Sequence, residues 1–97
     1  MPQPIDLDAT VCREPEPIEG DIDQETVLLS VEKGAYYQLN GVGSRVWALV
    51  STPIRVSEVV DRLVEEFDVS RAECEAQVLT FVKTLCAEGL IRVTDHP

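Results

Sequence analysis

The residues of this chain that could do chemistry are few: Cys12, Cys74, Cys86, a lone His96, and eighteen acids, some of them close-set, such as Glu65 with Glu66 and Glu73 with Glu75. A nucleophilic Ser or Cys needs a base within hydrogen-bond reach, and the one histidine stands beside the final residue. There is no Gly-rich phosphate loop and no HExxH motif. The cysteines are odd in number and lack CxxC spacing, which predicts buried free thiols in a reducing compartment, not a disulfide framework or zinc site. The acid pairs fall on expected helix faces, where solvated charge accounts for them. No catalytic residue, metal or cofactor is expected. Binding is.

The chemistry that remains belongs to the backbone. Ala35, Tyr36, Tyr37, Gln38 and Leu39 read as a strand, entered from a turn at Gly34. Asn40 then N-caps a helix whose Val42, Val46, Trp47 and Val50 recur at helical spacing, with Gly41 and Gly43 weakening its first turn. A strand placed last in a small sheet is an edge, with a row of N–H and C=O groups unpaired. Lys or Pro usually blunts such an edge. This one has neither, since Lys33 stands outside it in the turn. It can therefore accept an extended peptide as an extra strand. The same residues also fit an ordinary strand with one tyrosine buried, one exposed, and the edge covered by the C-terminal tail.

The elements around this strand follow in order. Residues 1–8, with Pro2 and Pro4, form a flexible or edge-lying start, residues 9–93 a single domain, and residues 94–97 a tail. A short strand is expected at 9–13. Residues 14–23, with Pro15 and Pro17, are expected to be a loop. Residues 26–31 read as a central strand, joined to 35–39 by a three-residue turn over 32–34. Helix one spans about 42–50 and ends before Pro53. Helix two begins near Ser57 and carries Val59, Val60, Leu63, Val64 and Phe67 on one side. Helix three opens on the capping box of Ser70 and Glu73 and stops at Gly89. Its apolar arc centres on Cys74, Val78, Phe81 and Leu85, with a shoulder of Leu79, Val82 and Cys86. Residues 90–93 return as a short strand. The fold class is α+β, winged helix-turn-helix-like, with an N-terminal three-stranded antiparallel sheet followed by three helices.

Charge decides between partners. The formal net charge is −10, and the eight basic residues are scattered among the eighteen acids. Nucleic-acid binders cluster Lys and Arg against phosphates, so a DNA-binding winged helix is disfavoured and a basic ligand favoured. An acidic carrier protein would need an Asp-Ser-Leu attachment motif, which is missing. No apolar run approaches the roughly 18 residues of a membrane span, so no membrane partner is expected, and the default is a cytoplasmic protein.

The stretch from Gly34 to Asn40, Trp47 after a short spacer, the apolar side of helix two, and Phe81-Val82 with Leu85 and the late Gly89-Leu90 together resemble the PqqD-like family. Its members recognise ribosomally made, modified peptides, and the resemblance covers residues 25–93. It implies that the leader of a precursor peptide adds antiparallel to the strand Ala35, Tyr36, Tyr37, Gln38, Leu39, in a cleft walled by helix three. Tyr37 and Leu39, with Val78, Leu79 and Val82, would form the apolar pocket, and Glu73 and Glu75 would meet basic leader residues at its rim. It further implies a free-standing adaptor, monomeric or weakly dimeric, that hands the leader to a processing enzyme. In lasso-peptide pathways that enzyme is a cysteine peptidase, the favoured case. In pyrroloquinoline quinone assembly it is a radical S-adenosylmethionine enzyme.

Overall fold

Two three-stranded antiparallel sheets and three helices make up residues 5–94, which the computed structural model describes. His96, Pro2 and Pro4, and with them the outer parts of both expected tails, lie outside the described residues. In chain order the elements are β1 (Thr10–Arg13), β2 (Ile18–Ile22), β3 (Glu25–Ser30), β4 (Ala35–Leu39), α1 (Gly41–Leu49), β5 (Ile54–Arg55), α2 (Val56–Glu66), α3 (Arg71–Ala87) and β6 (Ile91–Thr94). No helix among the described residues is long and apolar enough to cross a membrane.

The N-terminal sheet is present, but its strands are not the expected three. Its order is β2-β3-β4, whereas β1 lies at the centre of a second sheet, β5-β1-β6. The expected loop over 14–23 therefore contains a strand. Pro15 and Pro17 precede it and interrupt no ladder bond. Asp23 and Gln24 both take positive φ, 52° and 69°, as a two-residue type I′ hairpin requires. That turn usually carries Asn or Gly, and Gln24 hides it from sequence. The β3–β4 loop is also one residue longer than expected: Ser30 pairs with Ala35, leaving Val31 to Gly34 in the turn.

Alternation along β3 divides the first sheet into two faces. Thr26, Leu28 and Ser30 are buried, while Leu29 is exposed on the other side. Leu28, Val46, Val59 and Leu63 join β3, α1 and α2 in one core, and Val11 and Ile91 bring in the second sheet. Trp47 fastens β2 to this assembly. Its indole Nε1 donates to Glu19 Oε1 at 2.9 Å, Arg13 donates to the same oxygen at 2.9 Å, and the guanidinium sits 5.2 Å from the indole centroid.

Helix ends are met by specific partners. Asn40 Oδ1 accepts from Gly43 N–H at 2.7 Å, and Ser70 Oγ accepts from Glu73 N–H at 3.2 Å. The N-cap of α2, Arg55, offers no side-chain bond; Val56 and Ser57 instead donate to the carbonyls of Ala9 and Leu7, each at 2.9 Å. Residues 5–9 are thereby held along the start of α2. At the end of α3, Gly89 takes φ +78°, its N–H donates to Cys86 and that of Leu90 to Leu85, which is the Schellman arrangement. It turns the chain directly into β6.

Candidate functional site

Strand β4 is an outer strand: it pairs with β3 from Ser30–Ala35 to Thr26–Leu39, and among the described residues no strand lies on its other side. Ala35, Tyr37 and Leu39 point toward the protein and Tyr36 and Gln38 toward solvent, in the alternation of any strand. Five extended residues offer about 17 Å of ladder.

Helix α3 runs beside this strand in the opposite direction. From the turn before the strand, Lys33 Nζ donates to the Glu88 carbonyl, and from the strand's midpoint Tyr37 Oη donates to Glu88 Oε1 at 2.7 Å. That bond, then burial, then the negative charge of Glu88 push the Tyr37 phenol up from its ordinary value. At the strand's other end, Gln38 and Leu39 meet Gln77, Val78 and Phe81 around a cavity of about 320 Å³. The start of α1 and the end of α2 complete it with Asn40, Val42, Gly43, Val46, Leu63, Phe67, Val69 and Cys74. A shallow depression continues outward along α3 over Gln77, Thr80, Phe81 and Thr84.

Phe81 shapes this cavity, and Gly43 admits it. A Cβ on Gly43 would stand 3.2 Å from Phe81 Cζ and 3.3 Å from Asn40 Oδ1, so the ring lies against the bare backbone of the first turn of α1. The glycine that weakens the helix in sequence terms is thus a packing requirement. Cys74 lines the inner wall, where burial pushes its thiol up, as it does that of Cys86. Both are packing groups rather than thiolates. Arg45 closes one side of the frame: it forms a two-bond ion pair with Glu66, at 2.7 and 2.9 Å, that ties α1 to α2.

The ten residues singled out from sequence are not all brought together. Ala35, Tyr36 and Tyr37 lie along the edge, and Gln38, Leu39 and Val78 line the cavity. Glu73 is exposed at the start of α3. Glu75 pairs with Arg71 at 3.2 Å, an i,i+4 contact that occupies the carboxylate expected at the rim. Val82 has no exposed surface at all and belongs to the core, so a charge there would destroy the fold rather than the site alone. Leu79 lies about 160° around the helix from Phe81, on the opposite margin of the buried stripe. The wall beside β4 is thus the Phe81 margin, with Gln77 and Thr84, and not the Leu79 shoulder. Val42 and Phe67 are the other additions: large apolar side chains left exposed at helix ends, a signal visible in the pattern of both helices.

The family described as coenzyme PQQ synthesis protein D (PqqD) matches residues 25–91. A solved structure of TbiB1 in complex with the TbiA(beta) leader peptide is similar at a TM-score of 0.75 and 30% identity, over 89% of this chain and 98% of that one. A lasso peptide synthetase B1 complexed with its leader peptide is similar at 0.74 and 25% identity, over 84% and 95%. No curated protein matches the chain by sequence.

Proposed function

This chain belongs to the PqqD family, and from that premise we propose that it is a non-catalytic adaptor that binds the leader segment of a ribosomally made precursor peptide. The leader adds as an antiparallel strand to the free edge of β4 and lies in the cleft between that edge and α3. Residues 35–39 supply main-chain pairing, and alternate leader side chains point inward past Tyr37 toward Leu39 and Phe81. The cavity of about 320 Å³ takes one large apolar side chain, with Asn40 and Gln77 as its polar lining. Glu73 stands free on the surface near it for a basic leader residue. The α2–α3 pair followed by β6 serves as a winged-helix-like support for the wall rather than as a nucleic-acid reader.

The observation that carries this reading is the coincidence of an unpaired strand edge, a helix wall beside it, and an apolar cavity at its end. Both solved relatives hold leader peptides, and the likeness to a lasso peptide synthetase B1 favours a lasso-type pathway in the cytoplasm. There the adaptor presents the leader to the cysteine peptidase that removes it. The family's description names coenzyme PQQ synthesis, which favours a second reading: a peptide chaperone in that pathway, where the resemblance implies a radical S-adenosylmethionine enzyme as partner.

The test is a titration of the labelled leader of the cognate precursor with amide exchange on the complex. Binding at about micromolar strength or tighter, with new protection centred on Ala35–Leu39, is the expected result. Protection confined to the helices would sink strand addition.

A further inference from the structure

The register of the sheet decides which backbone groups the outer edge of β4 can offer. The turn at Asp23 and Gln24 is two residues long, so Ile22 and Glu25, the pair that closes it, direct their N–H and C=O groups at each other. By alternation Thr26, Leu28 and Ser30 direct theirs at β4. Their partners Leu39, Tyr37 and Ala35 therefore face β3. The groups on the outer edge belong to Tyr36 and Gln38, and a strand added there pairs with those two residues.

The last rung of this ladder is different. Thr26 N–H donates to Ser44 Oγ at 2.8 Å, and that hydroxyl donates to the Leu39 carbonyl at 3.0 Å. A side chain of α1 thus stands between two main-chain groups that could close on each other directly. The N–H of the same serine donates to the Asn40 carbonyl at 2.7 Å, and Asn40 Oδ1 accepts from Gly43 N–H. Leu39, Asn40, Val42 and Gly43 all line the cavity. Ser44 joins the end of the sheet to the wall of the cavity.

We propose that Ser44 is a positioning residue for the leader, holding the outer edge of β4 at a fixed place relative to the cavity. The inference rests on the adaptor reading above. In an antiparallel leader, the residue before the one paired with Gln38 lies opposite Leu39. It shares the inward direction of Leu39, and so points toward the cavity. Main-chain pairing and side-chain insertion are then one residue apart on the leader. A shift of the strand end satisfies one at the expense of the other. One hydroxyl, bonded to β3 and β4 from the first turn of α1, sets that spacing. Without it Leu39 can close directly on Thr26, which draws the strand end away from the cavity.

The experiment uses the full chain, the synthetic leader of the cognate precursor, and the variants Ser44→Ala and Ser44→Thr. Thermal melts check that each folds, and titrations run well below every melting temperature. In wild type the leader should newly protect the amides of Tyr36 and Gln38, whereas that of Tyr37 is slow before binding. Ser44→Ala should bind about tenfold more weakly and lose the protection at Gln38 while keeping it at Tyr36. Ser44→Thr, which keeps the hydroxyl, should bind within about threefold of wild type. Unchanged affinity and Gln38 protection in Ser44→Ala overturn the positioning role and leave the adaptor reading standing. So does a loss of protection shared equally by Tyr36 and Gln38, or one that Ser44→Thr repeats in full, since either would mark a serine that only stabilises the fold. Failure of wild type to bind leader removes the adaptor reading and this inference with it.

Discussion

Among the described residues the β2-β3-β4 sheet has two outer edges with no strand beyond them, and only one of them lies beside a helix wall and a cavity. Strands β2 and β4 are both five residues long and both without Lys or Pro, and among the described residues neither pairs on its outer side. What separates them is what stands beside each. Next to β4 is α3, with the Phe81 margin and a cavity at the strand's end. Every residue of β2 is exposed, and its Glu19 is committed to Trp47 and Arg13. An unpaired ladder supplies affinity without selectivity. In the proposed reading the wall supplies selectivity, and the charged Glu19 and Asp21, pointing to the inner side of β2, are one device by which natural sheets avoid edge-to-edge association.

The largest effect should come from the wall. Phe81→Ala removes the ring shared by the cavity and the depression on α3, and leader affinity should fall by about 30-fold, or about 2 kcal/mol. Ile18→Ala, on the other edge, should leave leader affinity within about twofold of wild type. Titration calorimetry well below both melting temperatures separates binding from stability. Equal losses at the two edges would erase the distinction between them.

Next in size is the attachment of β2. Glu19→Ala deprives the Trp47 indole and Arg13 of their shared acceptor, at a cost of about 1 kcal/mol in unfolding free energy. Amide exchange in β2 should quicken while leader affinity holds. A matching loss of leader binding would mean that the two edges are mechanically coupled through β3.

Most helices of this fold were legible because their signals are local. Asn40, Ser70 and Gly89 mark their ends, and valines and leucines at helical spacing mark their inner faces. The edge of β4 was legible for the same reason, as a strand between a glycine turn and an N-cap. Strand β2 was not. Its two isoleucines, four apart, face solvent, and the inward positions hold Glu19 and Asp21, so no alternation of apolar and polar announces it. The removal of β1 to a second sheet depends on pairing with residues 54–55 and 91–94, a long-range choice that no window of sequence contains. The wall was half legible. An apolar arc on a helix has two margins, and sequence does not say which one meets the strand; the contact of Phe81 with Gly43 decides it.

That contact gives a smaller prediction. In Gly43→Ala the new methyl at 3.2 Å pushes the Phe81 ring by a few tenths of an ångström into the cavity. Leader affinity should fall by about threefold, near 0.6 kcal/mol. Removing a glycine from α1 contributes up to about 1 kcal/mol of helix propensity, so the melting temperature should stay level or rise. Lower affinity with undiminished stability would distinguish a shaped wall from a merely stable one.

The smallest effect lies where strand and wall touch, at Tyr37 and Glu88. The bond to the carboxylate raises the folded-state pKa of the phenol above the ordinary 10.0. A group whose folded pKa is raised contributes stability that is complete below the unfolded value and is lost as pH rises through the folded one. Between pH 6 and 9 this bond should therefore add nothing to the pH dependence of stability, and the loss should begin only in alkali. Ultraviolet titration of the phenols should show a component above pH 10.0 that Tyr37→Phe removes. Leader affinity at neutral pH should change by less than about twofold in that variant, because the hydroxyl reaches Glu88 at the end of α3 while the cavity is walled by Gln77, Val78 and Phe81, about two turns earlier on that helix. A large loss of affinity would shift the centre of recognition from the Phe81 cavity to the opposite end of the cleft.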